Sequence, residues 1–229
     1  MCFDVSNHPL PPVALASRSP RRRELLTIHG VRHEIVDADI DDAELVPGNQ
    51  NPRSWVMALA YLKAQAGARS PRHATATLGP VVLGADTVCV KDGAIIGQPT
   101  DAEHAHRILH LFRNSDHEVL TGVALLNTQT GYRDLFVDVA RVHVGHLSDE
   151  QIDAYVASGE WRGKAGGYNL AERIEAGWPI TFEGDPTSIM GLPMQTLIER
   201  LARFAVRRPT DPAESPPGSS KEEHPQPDA

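Results

Sequence analysis

Residues 13–30 read VALASRSPRRRELLTIHG, and this stretch decides the class of fold. Val13–Ala16 is a short apolar run of the kind that forms a buried strand. A helix follows with clear punctuation: Ser19 at the N-cap, Pro20 at the first helical position and Gly30 as the stop. The same stretch carries a conflict. Arg21, Arg22 and Arg23 fall in the first helical turn, where each cation faces the positive end of the helix dipole at about 0.3–1 kcal/mol when exposed. A sequence shaped by folding alone would place Asp or Glu there. An anion held between the helix N–H groups and the guanidinium forks removes the conflict, and phosphate suits such a site. The plainer alternative is a solvated basic face that tolerates the cost.

Working outward, His33–Val36 reads as a second strand, and Asn51-Pro52 opens a helix with Trp55, Leu59 and Leu62 on one face. Lys63 sits beside that face and, taken alone, reads as a surface lysine. Val81–Leu83 is an apolar run entering Gly84-Ala85-Asp86-Thr87. Val88–Val90 and Ala94–Ile96 flank Lys91-Asp92-Gly93, a hairpin signal. Thr100 and Glu103 form a capping box before a helix with Ala105, Ile108, Leu109 and Phe112 at helical spacing. Val119–Leu126 and Leu135–Val144 are β-type segments joined by a polar turn ending at Gly131. Ser148 and Gln151 make a second capping box, with Ile152, Tyr155 and Val156 in its helix and Gly159 as its stop. A last helix starts at Pro193 and buries Leu197, Ile198 and Leu201. Helices alternate with strands, but hairpins intervene, so the expected fold is α/β with a mixed sheet.

The 229 residues carry 22 Lys plus Arg against 30 Asp plus Glu, a formal net charge of −8. Half of it lies in the segment 209–229, where five acids oppose one lysine among six prolines. That segment lacks the apolar surface to offset its ordering, so 207–229 is expected to be a disordered tail and 1–12 a loose lead-in. The folded part is expected at 13–206. No apolar run approaches the roughly 18–20 residues of a membrane span. Two cysteines, Cys2 and Cys89, make no disulfide framework. The opening MCFDVSNHPL has neither a basic nor an apolar leader region, so the expected location is the cytoplasm. The acidic balance argues against a protein that coats nucleic acid.

Several residues could carry chemistry. Asp86, read as following a buried strand, sits where α/β sheets place ligands, and near phosphates it could hold Mg²⁺ or activate a water; closing a turn is its bland reading. The run Asp37-Ala38-Asp39-Ile40-Asp41-Asp42 fails as an EF-hand, with Asp42 at the sixth position and Gly48 at the twelfth. It also resembles a phosphatase D-x-D motif, weakened by Asp41 at the fifth place. One or two of its carboxylates supplying metal ligands, or a solvated loop, are the other readings. Gly159 to Ala165 is one residue short of a Walker A loop, and Ala165 cannot ligate Mg²⁺. His104, His106 and His110 share a helix without a companion ligand set and read as a solvated face. Cys89, in an apolar strand, reads as core.

Taken in order, LASRSPRRRELL at 15–26, DIDD at 39–42, LAYLKAQAG at 59–67, LGADTVCVKDGAIIGQPTDAEHA at 83–105, HEVLTGVAL at 117–125, YVASGEWRGKAGGY at 155–168 and MGLP at 190–193 resemble the Maf family of nucleoside triphosphate pyrophosphatases, also called septum formation inhibitor proteins. The resemblance implies an elongated mixed β-sheet flanked by helices, two lobes around a cleft, of the inosine-triphosphatase-like kind, in proteins that are often homodimers. It implies hydrolysis of a nucleoside triphosphate to its monophosphate and pyrophosphate with a divalent metal, Mg²⁺, in nucleotide-pool housekeeping or cell-division arrest. Asp86 matches the proton acceptor, and in the mechanism this suggests Asp86 and Asp42 are the expected metal ligands. Ser17, Arg21, Arg22 and Lys63 match phosphate- and substrate-binding positions, Arg21 and Thr87 match positions linked to substrate choice, and Lys164 of the glycine-rich loop is a further candidate substrate-binding residue. The chain departs from the pattern at Asp42, where many members have Glu, at Gln98, where many have Lys, and at Ala171, where the dTTP/UTP-type branch has Gln. Asn169–Gly184 and the run Phe182–Pro186 depart as well. A nucleotide-binding regulatory protein with little or no catalysis is the alternative these departures support.

Overall fold

One long central strand organises the molecule. In this computed structural model, which describes residues 10–38, 40, 45, 47–75 and 79–206, β1 (Val13–Leu15) leads into α1 (Pro20–Ile28) and then β2 (His33–Ile35). Two helices follow, α2 (Pro52–Arg69) and the short α3 (Pro71–Thr75), before β3 (Val81–Lys91) and β4 (Ala94–Ile96). Next come α4 (Ala102–Phe112), β5 (Ser115–Asn127) and β6 (Arg133–Val144). The chain closes with α5 (Asp149–Ser158), α6 (Leu170–Glu175), β7 (Ile180–Glu183), α7 (Pro186–Ile189) and α8 (Met194–Val206). Residues 1–9 of the expected lead-in 1–12, the expected tail 207–229, and Asp39, Asp41 and Asp42 lie outside the described residues. Among the described residues no helix is long and apolar enough to cross a membrane.

The seven strands form one sheet in the order β2-β1-β3-β5-β6-β7, with β4 also on β3. β1 runs parallel to β2 and β3, and the other pairs are antiparallel, which makes the sheet mixed as expected. The Asp92-Gly93 turn joins β3 to β4 with φ of 50° and 79°, the positive values that a tight hairpin turn requires.

Alternation along the strands assigns the two faces. On one, Val13, Leu15, Leu83, Ala85, Val123 and Leu125 pack against Leu25 and Leu26 of α1 and Leu197 and Leu201 of α8. Farther along the same face, Cys89, Val119, Val142 and Val144 pack under α4 and α5 through Ile108, Phe112, Ile152 and Tyr155. Thr87, Thr121 and Asp138 stand in cross-strand register between these two cores, giving two lobes on one sheet. On the other face, Ala14, Ala16, Val82 and Ala124 meet Ala60 and Ala64 of α2.

Three local expectations are corrected. Gly84-Ala85-Asp86-Thr87 is no post-strand turn but the middle of β3, because β5 pairs with that strand from Val81 through Val90. The buried stripe of α2 is Val56, Leu59, Ala60, Ala64 and Gly67, while Leu62 is exposed. Small residues are needed there because α2 lies directly on the sheet: a Cβ on Gly84 would sit 2.3 Å from the Ala60 carbonyl oxygen, and one on Gly122 2.5 Å from that of Val56. Finally, α4 is capped by Asp101, whose Oδ1 accepts from the His104 N–H at 2.7 Å, while Thr100 Oγ1 donates to the Asp101 carboxylate. A carboxylate is at least as good a cap as a hydroxyl, and it displaces the expected Thr100–Glu103 box by one residue. The Ser148–Gln151 box forms as read, with Gly159 left-handed at the C-cap.

Candidate active site

Between Leu83, where β1 stops pairing with β3, and Cys89, where β4 starts, that edge of β3 has no strand partner among the described residues. The chain leaves the sheet at Ala16, whose N–H still donates to the Leu83 carbonyl at 2.8 Å, and turns into α1. The cleft so opened is lined by Asp86 and Thr87 of β3, by Ser19, Arg21 and Arg22 at the start of α1, and by Lys63 of α2. Gln98, Tyr168 and Gly191 line it as well.

Asp86 faces α2, and its Oδ1 accepts from Lys63 Nζ at 2.6 Å, with side chains only 10% and 15% exposed. The surface reading of Lys63 therefore gives way: α2 lies so close to β3 that its ammonium reaches the cleft. Thr87, one residue on, faces α1. Arg22 is buried, and its fork joins three segments: Nε donates to the Gly191 carbonyl at 2.9 Å, Nη1 to Ser17 Oγ at 3.1 Å and Nη2 to Thr87 Oγ1 at 3.1 Å. Ser17, also buried, accepts from the Ser19 N–H at 3.2 Å, so it shapes the loop and holds Arg22. Arg21 is half-buried on the cleft wall, whereas Arg18 and Arg23 are exposed. Ser19 occupies the N-cap but makes no side-chain cap, so the first-turn N–H groups of α1 lack that partner and can receive an anion.

Other expected residues lie elsewhere. Lys164 is paired with Glu172 of α6 and does not line the cleft. Ala171 is exposed on α6, and Asp37 is exposed with Arg72 3.6 Å away. Asp42 falls outside the described residues, so the expected metal pair is represented by Asp86 alone. His106 Nε2 is 2.8 Å from Asp153 Oδ1, and among the described residues no group of three or more His, Cys, Asp or Glu side chains could hold a metal ion.

Sequence reasoning missed Tyr168, Gly191, His117 and Thr121. Tyr168 Oη lies 2.8 Å from His117 Nε2, and the imidazole stacks on Phe112 with centroids 3.9 Å apart. Burial, helped by the nearby Lys91 charge, pushes the His117 imidazolium down to about 4, so the ring is neutral at pH 7. Burial pushes the Cys89 thiol up to about 12, which removes it as a nucleophile although it lines the cleft. Thr121 is fully buried in a strand of apolar residues, where only its place in the sheet reveals a polar role.

A mixed-sheet α/β protein with a cationic cleft, closed on one side by a helix start and on the other by a lysine–aspartate pair, is the class that fold and site define. The chain belongs to the family of Maf-like proteins, whose model matches residues 12–204. It is 38% identical over 192 residues to a protein of Pelotomaculum thermopropionicum named dTTP/UTP pyrophosphatase, covering 84% of this chain and 96% of that one. A protein of the same name from Ralstonia nicotianae is 39% identical over 202 residues, covering 86% and 96%. One from Alkaliphilus metalliredigens is 38% identical over 188 residues, covering 82% and 93%.

Proposed function

We propose that the protein hydrolyses a nucleoside triphosphate in the cytoplasm to the nucleoside monophosphate and pyrophosphate. One observation carries the reading: the cationic start of α1 and the Lys63–Asp86 pair face the same cleft. Arg21 and the first-turn N–H groups receive phosphate oxygens, with Arg22 holding the wall behind them. Lys63 adds charge on the opposite side and keeps Asp86 in place. Asp86 positions and deprotonates a water. The water oxygen bonds to the α-phosphorus as the bond to the α–β bridging oxygen breaks, and pyrophosphate leaves. Such a reaction depends on in-line placement and charge neutralisation rather than covalent help from the protein.

A magnesium ion fits this donor set, since Mg²⁺ is commonly held by one or two carboxylates together with the substrate's own phosphates. Asp86 would be its protein ligand here, while Asp42, the second ligand expected from the sequence, lies outside the described residues; when bound the ion would supply further charge neutralisation.

The test is a panel of ordinary and modified triphosphates with Mg²⁺, dTTP and UTP among them because the relatives carry those names. Pyrophosphate release, lost by at least about a hundredfold in Asp86→Asn, is the expected result. Orthophosphate release, or full turnover by that variant, would refute it. Binding across metals without turnover would favour the regulatory alternative.

A further inference from the structure

The polar row between the two lobes has a direction. Thr121 Oγ1 donates to the Ser188 carbonyl at 2.8 Å, and a carbonyl oxygen can only accept. The single hydroxyl hydrogen of Thr121 is thereby used. The 2.9 Å contact between Thr87 Oγ1 and Thr121 Oγ1 must therefore be donated by Thr87. At its other side Thr87 Oγ1 accepts from Arg22 Nη2 at 3.1 Å. The bonds run one way, from Arg22 through Thr87 and Thr121 to the backbone of α7.

We propose that Thr121 is a positioning residue for the cleft: by consuming the Thr87 hydrogen it pins Thr87 beneath Arg22 and leaves Thr87 able only to accept from a ligand. Thr121 is completely buried and does not line the cleft, so it acts through Thr87. Phosphate oxygens at neutral pH are acceptors and find no donor in Thr87. The ligand group that Thr87 takes is an O–H or N–H of the sugar or base. This deepens the pyrophosphatase reading and rests on it for the identity of the ligand.

The experiment is a double-mutant cycle on kcat/KM for the best nucleotide of the panel, using Thr87→Val, Thr121→Val, the double variant and Thr121→Ser. Losing one such hydrogen bond lowers kcat/KM about tenfold in each single valine variant. Because both act through one hydroxyl, the double variant also falls only about tenfold, and Thr121→Ser, which keeps the hydroxyl, recovers to within about threefold of wild type. A double variant down about a hundredfold would show independent action and overturn the proposal. So would a Thr121→Val variant that melts earlier but keeps its kcat/KM. The same cycle read calorimetrically on binding of the nucleotide separates the two readings. Coupled losses in binding without turnover would sink the pyrophosphatase assignment and leave the Thr121 role standing, whereas uncoupled losses in an active enzyme would do the reverse.

Discussion

Replacing Gly84 by alanine should damage the site without touching any residue of the cleft. The new Cβ would lie 2.3 Å from the Ala60 carbonyl oxygen and 2.6 Å from the Ala64 nitrogen, both backbone atoms of α2. Ordinary contact begins near 3.4 Å, so the helix must withdraw by about 1 Å at this point. Overpacking of this kind costs about 1–3 kcal/mol, which lowers the melting temperature by about 2–12 °C for a domain of this size. Lys63 lies between the two clashing residues, so its 2.6 Å bond to Asp86 is stretched by the same displacement. A misplacement of about 1 Å in a reacting constellation costs about a hundredfold in rate. Gly122→Ala is the control. Its Cβ would meet the Val56 carbonyl at 2.5 Å, seven residues earlier on α2 and about 10 Å from Lys63 along the axis. Thermal melts and steady-state kinetics on the two variants should show similar losses of stability but a larger loss of kcat in Gly84→Ala. Equal kcat losses, or a Gly84→Ala enzyme with wild-type rate and melting point, would refute the view that α2 seating places Lys63 against Asp86.

Two further outcomes follow from buried groups. Arg22→Lys keeps the charge but not the planar fork that reaches Gly191, Ser17 and Thr87, and denaturant unfolding should show a loss of about 2–3 kcal/mol, with kcat/KM down at least tenfold. His117 titrates near 6.5 when unfolded but near 4 in the fold, so the unfolded state binds its proton first as the pH falls. Stability should therefore decline from about pH 7 to pH 4, by about 3 kcal/mol from this group, and the decline should be shallower in His117→Gln; parallel stability profiles would contradict the assignment.

Local signals carried much of the fold into the sequence. The strand and helix of 13–30, the Asp92-Gly93 hairpin and the Ser148 capping box are short-range patterns, and they form where they were read. The passage of β3 through Gly84–Thr87 was hidden because those glycine and aspartate residues resemble a turn. Only the pairing with β5 and the close seating of α2 make them strand. The cluster of arginines at a helix start was legible, and Arg21 and Arg22 both line the cleft, but nothing in the spacing shows that Arg22 bonds inward to Gly191, Ser17 and Thr87. Lys63 meets Asp86 across 23 positions of sequence, and Thr121 meets Ser188 across 67, so neither contact leaves a periodic trace. Lys164 stands in a glycine-rich loop that invites a phosphate, yet it turns to Glu172, a partner that spacing alone does not single out.

The central claim is that water attacks the α-phosphorus of a nucleoside triphosphate in the cleft between α1 and the Lys63–Asp86 pair. Turnover in ¹⁸O-labelled water, followed by mass spectrometry of both products, tests it directly. The account predicts one labelled oxygen in the nucleoside monophosphate and none in the pyrophosphate. Label in pyrophosphate, or labelled orthophosphate beside a nucleoside diphosphate, would contradict it.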